Sequence, residues 1–165
     1  MRHRPAPVRL VLRILPLVMS LLLMAPIGAG AADLAVVVNP HNPIDEIQWK
    51  DLIKIFRLEK QYWRGNQKVY LVLRESGSKE KSAVLEQIYQ TSDEGLKKMW
   101  LAKMYREEIT SFPRVLNSNE AVIRFVNQVP TAISVIDASY RDGRVKTLRI
   151  NGALPGEEGY PLKVN

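Results

Sequence analysis

A change of hydrophobic periodicity between residues 68 and 88 constrains this fold more than any other sequence feature. Residues 68–73 are rich in β-branched, aromatic and leucine side chains, which is typical of a buried or half-buried strand. Val84, Leu85 and Ile88 then recur at helical spacing. The chain must therefore turn from a strand into a helix across residues 74–78, and such a unit is stable only where the helix packs on a sheet.

The turn itself has the composition of an anion-binding site. A helix N-terminus leaves backbone N–H groups without partners, and its dipole favours negative charge. Ser76 and Ser78 add hydroxyl donors, and Gly77 allows the backbone to approach a ligand closely. The guanidinium of Arg74 is a planar donor fork that suits an oxyanion. The sequence therefore predicts that Arg74, Ser76, Gly77 and Ser78 bind an oxyanion.

A purely structural interpretation of the same residues stays open at this point. Arg74 can pair with Glu75 or Glu80, and one of the serines can do no more than cap the helix.

The first residues have the pattern of an export signal. Residues 14–25 form an apolar segment, and residues 29–31 read Ala-Gly-Ala, which is a cleavage signal for secretion. The preceding segment is basic through Arg2, Arg4, Arg9 and Arg13. Because the apolar segment is shorter than the ~20 residues that span a bilayer, we expect cleavage after Ala31 rather than an uncleaved anchor. Residues 32–165 then form one mature domain of 165 − 31 = 134 residues.

Removal of this segment changes what the charge implies. It carries four of the 24 basic residues and no acidic residue, so the mature chain has a net charge of 20 − 17 = +3. That balance, without a basic run interleaved with aromatics, argues against a nucleic-acid partner. The chain has no cysteine. We therefore expect a periplasmic protein that needs no disulfide and is not a lipoprotein.

Further periodic segments indicate an α/β domain with a layered mixed sheet and flanking helices. Thr91 with Glu94, and Asn117 with Glu120, are capping boxes that predict two helix starts, and Pro130 ends the second helix. We also predict strands at 34–38, 132–136 and 145–150, and a short helix that begins near Asp45 or Gln48 and contains Trp49, Leu52, Ile53 and Phe56.

A series of landmarks along the chain resembles the phosphate-binding proteins of ABC importers. The series comprises Ile55-Phe56, Trp63, Gly65, Arg74, Ser76-Gly77-Ser78, Trp100, the helix at 117–129, Pro130-Thr131-Ala132-Ile133 and Tyr160-Pro161-Leu162. This resemblance implies one lobe of a type 2 periplasmic-binding fold. It also implies phosphate or a similar oxyanion as ligand, held by Arg74, Ser76, Gly77 and Ser78, and an ABC permease or another membrane or periplasmic protein as partner.

The chain departs from the pattern of that family in ways that favour a second hypothesis. Full-length receptors are about twice as long, a family glycine is Leu58 here, and a Gly-Tyr pair is Ser134-Val135. The alternative function is therefore a non-catalytic accessory or sensor-input module that has lost ligand enclosure. Tyr62 and Trp63, in a polar loop, would be the candidate contact residues of such a module.

The sequence gives little support to metal binding or catalysis. His41 is the only histidine after residue 31, and there are no cysteines to complete a metal site. No G-x-S-x-G motif is present, and a catalytic triad would have to recruit His41 by coincidence. We expect neither a metal nor a cofactor, and no enzymatic activity.

Overall fold

The computed structural model describes residues 33–164, so the predicted export signal lies outside the described residues. Seven strands and four α-helices follow one another within residues 33–164. They are β1 (Leu34–Val38), β2 (Glu46–Ile47), α1 (Trp49–Phe56), β3 (Tyr70–Arg74), α2 (Lys79–Val84), α3 (Asp93–Tyr105), β4 (Arg114–Leu116), α4 (Asn119–Gln128), β5 (Ala132–Asp137), β6 (Lys146–Thr147) and β7 (Arg149–Ile150). A π-helical turn at Leu85–Tyr89 extends α2, and a 3-10 turn at Ala138–Tyr140 follows β5.

Five of the strands form one mixed sheet in the order β4-β3-β5-β1-β6. Strand β3 runs parallel to both β4 and β5, whereas β1 runs antiparallel to β5 and β6. Strands β2 and β7 form a separate parallel pair. The predicted α/β class with a mixed sheet and flanking helices is confirmed.

Helices cover both faces of the sheet, which explains why the central strands are buried along their whole length. All five residues of β1 and all six of β5 are buried. Alternate residues of these strands contribute to two separate cores. One core contains α1, the π-helical turn and α3, and the other contains α4.

The carboxyl ends of β3, β4 and β5 lie at one edge of the sheet, because these three strands are parallel. The chain leaves β3 into α2 on one face of the sheet and leaves β4 into α4 on the other face. The predicted turn at residues 74–78 therefore lies where adjacent strands send their helices to opposite faces. Ligand sites of open α/β sheets are formed at such positions.

Several predicted boundaries need correction. The caps of α3 and α4 are Ser92 and Ser118, one residue after the predicted Thr91 and Asn117. Each serine hydroxyl accepts a hydrogen bond, from the amides of Gly95 and Ala121 respectively, at 3.1 Å. Both caps follow another residue with a suitable polar side chain, so the sequence pattern alone does not fix which of the two neighbours is used.

The predicted strand at 145–150 is divided into two short strands. β6 pairs with β1, whereas β7 pairs with β2 in the other sheet. Leu148 lies between them, fully buried, and its amide donates to the carbonyl oxygen of Val36 at 2.9 Å. Strand β4 was not predicted, since three residues are too few to show a periodicity.

None of the helices between residues 33 and 164 is both long and apolar enough to cross a membrane.

Candidate functional site

The turn between β3 and α2 has the backbone that its sequence predicts. Gly77 has φ +84°, in the left-handed region that glycine adopts readily. Ser78 is the N-cap of α2: its hydroxyl accepts from the Lys81 amide at 3.2 Å and donates to the Glu75 carbonyl oxygen at 2.8 Å. The hydroxyl of Ser78 is therefore occupied by its own helix start.

Arg74 points into the protein rather than towards open solvent. Its side chain is only 10% exposed, its Nη1 donates to the Leu116 carbonyl oxygen at 3.2 Å, and its Nε lies 3.6 Å from the Glu80 carboxylate. The Nε atom is buried and has no hydrogen bond of its own. Arg74 thus links the ends of β3 and β4 and neutralises Glu80. This is the Arg74–Glu80 pair that the purely structural interpretation of the sequence predicted.

Ser76 and two lysines converge on one carboxylate. The Ser76 hydroxyl donates to Asp93 Oδ2 at 2.6 Å, Lys81 Nζ lies 3.6 Å from Oδ1, and Lys97 Nζ lies 3.5 Å from Oδ2. The hydrogen bond from Ser76 holds the pKa of the Asp93 carboxyl below its usual range, with the positive charge of Lys81 and Lys97 acting in the same direction. The donors gathered here already hold an anion, and that anion is part of the protein.

Lys81 is buried against an aromatic ring. Its Nζ lies 5.2 Å from the centroid of the Trp100 ring, in cation–π geometry. Burial lowers the pKa of this lysine, although the carboxylate of Asp93 opposes the effect. Lys81 is therefore a cation held at a fixed place behind the turn.

A second group of contacts closes the site on the side of β5. Lys79 forms an ion pair with Asp137, and this hydrogen bond raises the pKa of Lys79. Burial favours a higher pKa for Asp137, but hydrogen bonds from Lys79 and Ser139 outweigh it, so the pKa lies below its usual range. Asn119 donates to Glu80 at 2.7 Å and joins α4 to the network.

Exposed backbone donors of the turn remain without protein partners. Among residues 33–164, the amides of Gly77 and Lys79 make no hydrogen bond, and both residues are exposed. These are the unpaired amides that a helix N-terminus offers to an anion.

The structure thus brings the four predicted residues to one place but engages three of their side chains with other protein groups. The residues that decide this are Asp93, Asn119 and Asp137, and none of them was predicted from the sequence. They lie 17, 43 and 61 residues after Ser76, and no local pattern connects them to the turn. The one local signal was that Asp93 is an acidic residue in the first turn of α3. An acidic residue at that position is usually explained by the helix dipole.

Other candidate residues also have clear positions. Of the two candidate contact residues of an accessory module, Tyr62 is exposed, whereas Trp63 is buried and its Nε1 donates to the Thr131 carbonyl oxygen at 3.0 Å. His41 is exposed, with Nδ1 3.2 Å from Asn39 Oδ1. Between residues 33 and 164, no three His, Cys, Asp or Glu side chains are grouped as a metal would require.

Two of the three positions that depart from the family pattern, Leu58 and Ser134, serve the fold. Leu58 has φ +59°, so the left-handed backbone of a glycine turn is kept by a leucine. Ser134 is fully buried, and its hydroxyl donates to the Val72 carbonyl oxygen at 2.8 Å, which links β5 to β3.

Comparison with known proteins identifies relatives by structure alone. No protein-family model matches the sequence, and no curated protein is significantly similar to it. The structure is similar to a phosphate ABC transporter substrate-binding protein from Clostridium perfringens, solved with bound phosphate (TM-score 0.61, 19% identity, 74% of this chain and 46% of that one). It is also similar to an ABC-type phosphate transport receptor from Vibrio cholerae (TM-score 0.61, 22% identity, 74% and 48%) and to PstS from Borrelia burgdorferi (TM-score 0.63, 23% identity, 81% and 55%).

These similarities confirm the predicted resemblance at the level of the fold. The aligned region spans about half the length of each of the three proteins. The first of these proteins is a substrate-binding protein and the second is a transport receptor. At these identities the comparison shows a shared fold, and the ligand has to be argued from the site.

Proposed function

We propose that this protein is a non-catalytic periplasmic binding module that takes phosphate or a related oxyanion at the turn formed by Arg74, Ser76, Gly77 and Ser78. The anion would replace the carboxylate of Asp93 as the partner of Ser76, Lys81 and Lys97. The observation that carries the proposal is the convergence of Ser76, Lys81 and Lys97 on that single carboxylate. Export through residues 1–31 and cooperation with a membrane permease are part of the same proposal.

The geometry supports an exchange because the donors differ in what they can still bind. The amides of Gly77 and Lys79 have no protein partner among residues 33–164, so an oxyanion at the turn could accept from them without displacing a protein group. The Ser76 hydroxyl and the lysines become available only when Asp93 rotates away. Asp93 is 28% exposed, which leaves room for that rotation towards solvent.

Arg74 has a different role from Ser76, because it positions the turn and does not contact the anion directly. Its guanidinium contacts Glu80 and the Leu116 carbonyl oxygen, so it holds the carboxyl ends of β3 and β4 together beneath the turn. It would contact an anion directly only after release from Glu80. We therefore expect Arg74 to contribute through the position of the turn, and Ser76 through a direct hydrogen bond.

The internal carboxylate sets the expected affinity. A hydrogen bond to a charged group contributes about 1.5–3 kcal/mol, and each 1.4 kcal/mol changes a dissociation constant tenfold. Competition from Asp93 should therefore weaken phosphate binding by about ten- to a hundredfold. Binding of phosphate to the native protein should be weak, and removal of the competing charge should strengthen it.

Isothermal titration with phosphate and with sulfate tests the exchange. Asp93→Asn should bind phosphate at least about tenfold more tightly than the native protein. Adding Ser76→Ala to Asp93→Asn should reverse most of that gain. Glu94→Gln is the matched control, because it removes one negative charge from the adjacent, exposed position without touching Ser76.

Equal affinities of the native protein, Asp93→Asn and Glu94→Gln would reject the exchange. An equal gain in phosphate affinity in both variants would show that the gain comes from net charge alone. Absence of heat and of any change in melting temperature at millimolar anion, in all variants, would reject oxyanion binding itself.

A second candidate function is the accessory or sensor-input module. It is favoured by the outward face of α3, where Leu101 is exposed and Tyr105 is 92% exposed. An exposed aromatic and leucine on one helix face are typical of protein contacts. A photo-crosslinking side chain at position 105 should then trap a partner in cells, whereas one at the exposed Lys54 on α1 should not.

A further inference from the structure

A separate cavity lies at the other end of β3. It has a volume of about 280 Å³ and is formed by residues of α1, the segment 58–61, the start of β3 and the loop 109–113. Tyr70 at this end and Arg74 at the turn are four residues apart in an extended strand, which corresponds to about 13 Å. The cavity is therefore distinct from the proposed oxyanion site.

The inner wall of the cavity is apolar. Ile55, Leu71 and Ile109 line it and are each at least 95% buried. Two aromatic side chains, Tyr70 and Phe112, also line the cavity and are about half exposed. An engineered cavity of about 150 Å³ already holds benzene, so this one has room for a ring with a short chain attached.

The exposed part of the lining is positively charged. Lys60 and Lys68 contribute to it, and within residues 33–164 no Asp or Glu side chain lines the cavity. Among the described residues, the ammonium group of Lys68 hydrogen-bonds only to a neutral partner, the Thr110 hydroxyl, at 3.2 Å. Lys60 is 3.9 Å from Asp51, a separation at which an exposed ion pair contributes little. An apolar wall beside two available ammonium groups complements a molecule that is apolar at one end and anionic at the other.

We propose that this cavity binds a small amphipathic carboxylate, with its apolar or aromatic tail against Ile55, Leu71 and Ile109 and its carboxylate on Lys68 and Lys60. A phenylpropyl group is a suitable tail, because a cavity of about half this volume already holds benzene. Lys68 is the stronger of the two contacts, since it would exchange a neutral hydroxyl for a charged partner.

Isothermal titration of the full chain with 3-phenylpropionate is the test. The uncharged analogue is 3-phenylpropanol, and inorganic phosphate is the anion that lacks an apolar group. We expect saturable binding of 3-phenylpropionate and at least tenfold weaker binding of the alcohol, since the contact to a charged group is lost. Phosphate should not compete with 3-phenylpropionate, because the two sites lie at opposite ends of β3.

Variants at Lys68 separate the charge from other effects. Lys68→Glu should weaken 3-phenylpropionate binding at least tenfold, and Lys68→Arg should retain it within a few-fold. Lys98→Glu is the matched control, because Lys98 is an exposed lysine of α3 that does not line the cavity. Melting curves of all variants confirm that each one is folded.

Three results would overturn the proposal. These are an absence of binding to the native protein at millimolar 3-phenylpropionate, equal binding of the acid and the alcohol, and equal losses in Lys68→Glu and Lys98→Glu. Competition by inorganic phosphate at this cavity would show that only the charge is recognised, and would also overturn it.

Discussion

Replacement of Arg74 by methionine should cost a large part of the stability of this protein. Glu80 is only 3% exposed, and its remaining hydrogen-bond donor after the change would be Asn119 at 2.7 Å. Two unit charges about 4 Å apart attract by about 4 kcal/mol at an effective dielectric constant of 20. Measured losses on removing one partner of a buried pair are about 3–5 kcal/mol, mostly because the other charge stays buried. We therefore expect Arg74→Met to lower the free energy of unfolding by about 3–5 kcal/mol.

Urea denaturation at neutral pH measures this loss. With a slope of about 1.5 kcal/mol per molar urea, a loss of 3 kcal/mol lowers the unfolding midpoint by about 2 M. Methionine keeps the apolar volume of the arginine stem, so the result reports the charge rather than a cavity. Lys97→Met is the control: its side chain is 66% exposed and its pair with Asp93 should contribute no more than about 0.5 kcal/mol.

The double variant Arg74→Met with Glu80→Gln tests whether Arg74 and Glu80 act as a coupled buried pair. Both charges are then absent, and the amide oxygen can still accept from Asn119, so stability should return to within about 1–2 kcal/mol of the native value. A loss below about 1 kcal/mol in Arg74→Met, or a double variant as unstable as the sum of the single ones, would show that the pair is not a coupled buried unit. The experiment also bears on function, because a binding defect in an Arg74 variant means little until its stability is known.

Three further predictions concern local features of the fold and can be checked by the same unfolding assay. Ser118→Ala should cost about 1 kcal/mol and Asn117→Ala much less, since the serine is the cap of α4; equal losses would contradict that assignment. Gly77→Ala should cost about 1 kcal/mol from its φ of +84° alone, since no atom lies within 4 Å of the added Cβ; a loss above about 3 kcal/mol would indicate a clash that the structure does not contain. The lowered pKa of Asp93 means that its contribution to stability is present above its ordinary pKa of about 3.9 and is lost as the pH falls through the lower folded value. Asp93→Asn should therefore flatten the pH dependence of stability below about pH 4, and an unchanged profile would contradict the pairing with Ser76.

The order of the main strands and helices follows from the sequence because hydrophobic periodicity is a local property. Residues 34–38 are a continuous apolar run, residues 132–136 are apolar except for Ser134, and the structure forms strands over both. The turn before α2 was predictable for the same reason: a glycine and a capping serine specify their own backbone within a few residues. Where two polar neighbours compete for one cap, as at Asn117 and Ser118, the local pattern is ambiguous by one residue.

The sequence by itself therefore determined the fold class, the strand-to-helix turn and the set of groups that an oxyanion site would need. Only the tertiary structure decided which partners those groups have. Asp93 meets Ser76, and Asp137 meets Lys79, because parallel strands and packed helices place distant segments at one edge of the sheet. Ion pairs depend on distances in space, which sequence separation does not encode, so the competition between an internal carboxylate and an external anion became visible only in the folded protein.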